Sequence, residues 1–262
     1  MLNKEDYEEP RCVLCMNPKS RIPVDRIMEK YDKHIEDGEL ERAESHLKYW
    51  LDEAKSVNDE AGEIVILGEM MGFCRKNGKK EEAFSYAKQA VSKVEKYGFG
   101  DSVTGATAIL NAGTVYRTFG ENEMSAALYK NAESIYEKLL DGEDERLGGL
   151  YNNFASALAQ LDEYDAALDK YNKALAIMGK KENGKLECAI TYLNIADLFE
   201  KKDGAEAAEE KISDMLDKAY ELLTDESIER NAYFKFVLDK CIPAYDYYGQ
   251  FLRSEQLKEM LS

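Results

Sequence analysis

Apolar and small residues recur along most of this chain with helical spacing, and the recurrence is interrupted at near-constant intervals. In the stretch Leu150 to Leu175 they fall at Tyr151, Phe154, Ala155 and Leu158, and again at Ala167, Leu168, Tyr171, Ala174 and Leu175. Both runs follow the i, i+3, i+4 pattern of a helix with one buried stripe. Between them, Asp162 to Asp165 supply polar, turn-tolerant residues, so the second helix is predicted to fold back on the first. The stretch reads as one complete helical hairpin.

Interruptions of the same kind occur at Gly38, Gly78, Gly120, Asp162, Asp203 and Gly249, separated by 40, 42, 42, 41 and 46 residues. A fixed period in this range marks a solenoid of stacked supersecondary units. The first unit carries Tyr31 and His34 on one helix and Ala43, Leu47 and Trp50 on the other, with His34 expected as a hydrogen-bonded core histidine. The second uses Leu67, Met71, Cys74, Ala83, Ala87 and Ala90, and the third uses Gly113, Tyr116, Gly120, Ser125, Tyr129 and Ala132. The fifth is built on Tyr192, Ile195, Ala196 and Phe199, and the alanines at 205, 207, 208 and 219 leave the register of its second helix open. The last begins with a helix through Phe234, Leu238, Cys241, Ile242 and Tyr245, which Pro243 is expected to bend. A short amphipathic helix from Phe251 to Leu261 follows as a cap. The fold class expected is all-α, an α-α superhelix of about twelve helices, with an extended arm over residues 1–23 and the repeat domain over residues 24–262.

The hairpin pattern resembles the tetratricopeptide (TPR) repeat, W-x2-L-G-x2-Y followed by A-x3-F and P. Tyr151, Phe154, Ala155 and Leu158 match its first half, and Ala167, Tyr171 and Ala174 its second. Tyr151 stands where the family prefers Trp, and Gly179 where it prefers Pro. The resemblance covers residues 24 to 261 or nearly so and is most specific in the third and fourth units. It implies a scaffold that binds protein or extended peptide in a concave groove lined by the first helix of each pair.

Composition narrows the function further. The net charge of −17 repels phosphate backbones and anionic head groups, so neither nucleic acid nor a membrane surface is an expected partner. No apolar run approaches the roughly 18 residues of a membrane helix and no signal segment opens the chain, so a cytoplasmic location is expected. Cys74, Cys188 and Cys241 sit in helical apolar patterns where a reduced thiol packs as a small hydrophobe. Cys12 and Cys15 form a C-x2-C pair, but no second pair exists and both histidines lie within helix patterns, so no metal is expected. Gly98 to Gly105 imitates a phosphate loop without a preceding strand or a following Gly-Lys-Ser/Thr; Gly98 ending one helix and Asp101 or Ser102 capping the next account for it. With no paired nucleophile and base, no catalytic residue and no cofactor is assigned, and the protein is read as non-enzymatic.

One polar feature recurs on the first helices. Asn111, Asn153 and Asn194 each stand two residues before the small helix-contact residue, at intervals of 42 and 41. Asparagine is a mediocre helix former, and its carboxamide offers the donor and acceptor that an extended main chain requires. The arrangement is similar to the asparagine ladder of longer-repeat TPR receptors such as kinesin light chains and bacterial Rap-type peptide receptors. Carried over, it makes Asn111, Asn153 and Asn194 peptide-binding residues, with Glu69 and Lys240 in their place in the second and sixth units. By helical spacing the neighbours are Arg75, Lys76, Thr114, Arg117, Asn152 and Ser156, the three cations making the N-terminal half of the groove basic. The alternative is a self-associating module, a homodimer joined through Phe234, Phe236, Tyr247, Tyr248 and Phe251.

Overall fold

The computed structural model describes residues 22–181 and 184–261. The expected arm, with Cys12 and Cys15, therefore lies outside the described residues apart from Ile22 and Pro23. The described chain is helical, with no strand, and divides into two compact units, residues 1–141 and 142–262. Unit 1 holds α1 (Val24–Glu36), α2 (Leu40–Ser56), α3 (Glu60–Lys76), α4 (Lys80–Lys96), α5 (Val103–Thr118) and α6 (Asn122–Leu139). Unit 2 holds α7 (Glu145–Ala159), α8 (Tyr164–Met178), α9 (Lys185–Asp203), α10 (Glu209–Leu223), α11 (Ala232–Tyr247) and α12 (Phe251–Glu259). In each unit the helices pair as successive hairpins.

The two helices of a pair have different jobs. Second helices bury one stripe: Ala43, Leu47, Leu51 and Ala54 in α2, Ala83, Ala87, Ala90 and Val94 in α4, Ala167, Tyr171 and Ala174 in α8. First helices such as α3, α5 and α9 are covered on several sides. In unit 1, α3 packs on α2, α4 and α5; in unit 2, α9 packs on α8, α10, α7 and α11. Most of α3 from Gly62 to Cys74 is accordingly buried. Such enclosure requires small residues at the crossings. A Cβ on Gly113 would lie 2.9 Å from the Tyr129 ring, and Ala112, Ala155 and Ala196 are fully buried.

Five hairpins close in one way. The residue after the turn donates its amide to the carbonyl five residues back: Glu39 to His34, Lys79 to Cys74, Glu121 to Tyr116, Glu163 to Leu158 and Gln250 to Tyr245, at 2.8–3.0 Å. This is the Schellman closure, which needs one left-handed residue. Gly38, Gly78, Gly120 and Gly249 take φ of 68 to 84°, and Asp162, an acceptable substitute, takes 61°. The fifth turn differs. Its positive-φ residue is Gly204, one beyond Asp203, and α10 starts only at Glu209, with Ala208 and Ala219 buried and Ala205 and Ala207 exposed. The open register of this helix is thereby fixed. Helix α11 continues through Pro243, whose ring lies on the exposed side.

Four of the first helices, α3, α5, α7 and α11, begin differently, behind side-chain caps. Asp59 accepts from Gly62 N (3.0 Å), Ser102 from Gly105 N (3.0 Å), Asp144 from Arg146 N (2.9 Å) and Asn231 from Phe234 N (3.1 Å). Ser102 is thus the cap of the glycine-rich segment, with Gly98 at φ 76° ending α4. Asp59 also accepts from Ile22 N at 2.9 Å, tying the entry of α1 to the start of α3. The partly buried His34 pairs with Glu39 (2.7 Å), and His46 Nε2 donates to the Ile27 carbonyl (3.0 Å). The three buried thiols are held protonated, since burial raises Cys74 and Cys188 to about 11 and Cys241 to about 12.

Two predictions follow from this packing. Ala155→Leu should lower stability by about 1–3 kcal/mol, because three added carbons enter a contact with no free space; denaturant unfolding would show it, and a variant as stable as the parent would contradict the packing. Burial holds His46 below its usual 6.5, so the fold favours its neutral form. That contribution is complete above about pH 6.5 and lost as pH falls through the lower folded value. The loss of melting temperature between pH 7.5 and 5.5 should therefore be smaller in His46→Gln than in the parent.

Candidate ligand-binding faces

The least covered stripe of each first helix is the candidate surface for a ligand. In unit 1 this stripe on α5 includes Asn111, Thr114 and Arg117, all half-buried, and on α3 it includes Gly72, half-buried Arg75 and exposed Lys76. The Thr114 hydroxyl is already engaged: it donates to the Leu110 carbonyl (3.1 Å) and accepts from Tyr129 (3.0 Å). Arg75 and Arg117 occupy the same register, three residues before Gly78 and Gly120, on helices that pack together. Burial lowers the Arg75 pKa, and the Arg117 charge adds to the effect. Arg75 and Arg117 thus place two guanidinium groups in each other's field on this stripe of unit 1.

In unit 2 the corresponding stripe of α7 carries Gly149, Asn152, Asn153, Ser156 and Gln160, and that of α9 carries Glu187, Ile190, Asn194 and Asp197. Asn152 Oδ1 accepts from Asn194 Nδ2 (3.2 Å) and from the buried Thr191 hydroxyl (3.1 Å), while Thr191 Oγ1 also lies 2.8 Å from the Glu187 carbonyl. Asn152 and Asn194 therefore bond across two repeats. Asn153, half-buried, makes no side-chain hydrogen bond among the described residues. The Asn194 amide is thus engaged within the fold, whereas Asn153 has no such bond among the described residues. Asn111 belongs to unit 1, and Asn153 and Asn194 to unit 2.

Several pairings on the unit 2 face escaped the sequence reading. Tyr233 donates to Glu187, whose carboxyl pKa is raised by burial, and Tyr247 and Tyr248 each donate to Glu200 at 2.8 Å. Lys240 lies 4.1 Å from the Phe236 ring centroid. The three tyrosine–carboxylate pairings join residues 46 to 48 apart, and nothing local in the sequence signals them. The aromatic cluster considered for self-association is corrected at one position: Phe234 is 1% exposed and belongs to the core, because it falls on the buried stripe of α11 with Val237, Leu238 and Cys241. Tyr247 at 71%, Phe251 at 65% and Leu252 at 76% are the exposed members of that end.

Among the described residues no group of three or more His, Cys, Asp or Glu side chains could hold a metal ion, and no helix is long and apolar enough to cross a membrane.

Solved structures with the same arrangement of helices settle the fold. BtubC (BKLC) from P. vanneervenii superposes with a TM-score of 0.61 at 17% identity, covering 84% of this chain and 90% of that one. A putative kinesin light chain of Podospora anserina with nearly identical TPR-like repeats gives 0.56 at 15% identity, covering 74% and 91%. The fold is TPR-like. No family model matches the chain, and no curated protein matches its sequence. At these identities the TPR-like likeness speaks for architecture and not for ligand.

The two adjacent asparagines of α7 should separate by experiment. Asn152→Ala removes the acceptor shared by Thr191 and Asn194 and should cost about 1 kcal/mol, whereas Asn153→Ala should stay within about 0.5 kcal/mol of the parent. Equal melting curves for the two variants would contradict the hydrogen-bond assignment.

Proposed function

We propose that the protein is a non-enzymatic scaffold that holds an extended polypeptide segment against the exposed stripes of its first helices. One observation carries the reading: enclosed helices, where every polar group must be accounted for, place carboxamides at the same register in successive repeats. Among the described residues, Asn153 keeps its full donor and acceptor capacity, and Asn194 retains its carbonyl oxygen after bonding Asn152. In unit 2 these two would pair with main-chain amides and carbonyls, and Asn111 would do the same in unit 1. Ser156 lies one turn beyond Asn152 and is small enough to let a backbone approach. The strong negative charge argues against nucleic acid and anionic membrane as partners, and buried protonated thiols suit a reducing, cytoplasmic setting.

A second reading, self-association, is favoured by a different observation, the exposed Tyr247, Phe251 and Leu252 at the end of unit 2. Light scattering separates the two, because a monomer at all concentrations removes it.

The main reading is tested by selecting a displayed library of random linear peptides on the full chain and measuring the enriched peptides against variants. Because a neutral hydrogen bond contributes about 0.5–1.5 kcal/mol, Asn153→Ala or Asn194→Ala alone should weaken binding about two- to tenfold, and the pair more severely. Peptides that bind the double variant as tightly as the parent, or a library that yields none, would overturn it.

A further inference from the structure

The exposed stripe of unit 1 carries charges that its described surroundings do not neutralise. Asp32 on α1, Glu69 on α3 and Arg75 on α3 have no ion-pair or hydrogen-bond partner for their side chains among the described residues. All three are half-buried. Elsewhere in the same unit comparable groups are paired: Glu44 with Lys48 and Lys79, and Glu63 with Lys93 and Tyr97. Leaving an ion partly desolvated without a partner is unfavourable, and a ligand of opposite charge removes the penalty.

The three charges are also sorted in space. At about 100° per residue, Glu69 and Arg75 project to opposite sides of Gly72 on α3, separated by about 120° around the axis and about 9 Å along it. Glu69 lies in the field of Asp32 on α1, and Arg75 in that of Arg117 on α5. Among the described residues, Lys76, exposed at the end of α3, also lies in the field of Glu69. Between the two walls, a Cβ placed on Gly72 meets nothing within 4 Å among the described residues, which leave the α3 backbone bare there. The result is a floor at Gly72 with a carboxylate wall on the α1 side and a guanidinium wall on the α5 side.

We propose that this face takes an extended polypeptide whose main chain crosses α3 over Gly72, with an acidic side chain on Arg75 and Arg117 and a basic one on Glu69 and Asp32. The walls are separated by an axial offset of about 9 Å and by part of an interhelical spacing of 8–10 Å, so the two ligand charges stand roughly three or four residues apart. Their order fixes the direction of the segment. This inference rests on the peptide-holding reading above and adds the ligand's charge pattern and the residues that read it.

The same displayed library supplies the test, with synthetic copies of enriched peptides as probes. Peptides selected on the full chain should carry an Asp or Glu within three or four positions of a Lys or Arg. Replacing the peptide's acid by its amide should weaken binding to the parent about tenfold or more, and much less to Arg75→Gln with Arg117→Gln, because the partners are then already gone. The peptide's basic residue should show the same non-additivity with Glu69→Gln and Asp32→Asn. Gly72→Leu should weaken all such peptides. The peptide-side changes need no altered protein and decide the matter even if a double variant fails to fold. Enriched peptides that ignore both their own charges and the unit 1 variants, yet weaken on Asn153→Ala with Asn194→Ala, would overturn this inference and leave the broader one standing. A library that yields no binder overturns both.

Discussion

Enclosure of the first helix of each hairpin is the constraint on which the rest of this structure depends. A helix that touches neighbours on several sides cannot rely on one apolar stripe; it must be small where axes approach and apolar or internally bonded elsewhere. Gly113 beneath Tyr129, and Ala155 and Ala196 at the matching register, meet the first demand, and the nearly continuous burial of α3 meets the second. The second helices, free on one side, tolerate lysine and glutamate there and need only a single stripe. Unequal enclosure explains why the two halves of the repeat look different in sequence.

That difference made much of the fold legible in the residues alone. The turn positions were readable because the Schellman closure admits few residues at its left-handed site, and four of its five occupants are glycine. The fifth turn was misplaced by one residue because Asp203 and Gly204 are both turn formers and only the backbone shows which reverses the chain. The register of α10 was closed to sequence reading for a related reason: alanine fits a buried or an exposed helical position equally well, so Ala205, Ala207 and Ala208 give no phase. Phe234 and Phe236 present the same difficulty, being alike in composition and opposite in burial.

The candidate ligand faces were legible in identity more than in state. Spacing placed Asn111, Asn153 and Asn194 on first helices, but it could not show that Asn152 is the acceptor bonded by the next repeat, since that bond joins residues 42 apart. The tyrosines that satisfy Glu187 and Glu200 were invisible on the same ground. Side-chain bonds between repeats depend on superhelical neighbours, and a period in the sequence reports equivalence of position without reporting contact.

The contrast between the two sets of first helices gives the polar residues their meaning. In unit 2 Glu187 and Glu200 of α9 are answered by the hydroxyls of Tyr233 and Tyr248, and the amide of Asn194 by Asn152, so this polarity is consumed in holding helices together. Such groups contribute a modest net stability and would be costly to break singly. In unit 1 the half-buried Asp32, Glu69 and Arg75 receive no such answer from the described residues. Charges of that kind do not help the fold, since a well-packed apolar residue at each site would serve enclosure better. Their segregation to either side of an open glycine is therefore better explained by what the face meets than by how it is held.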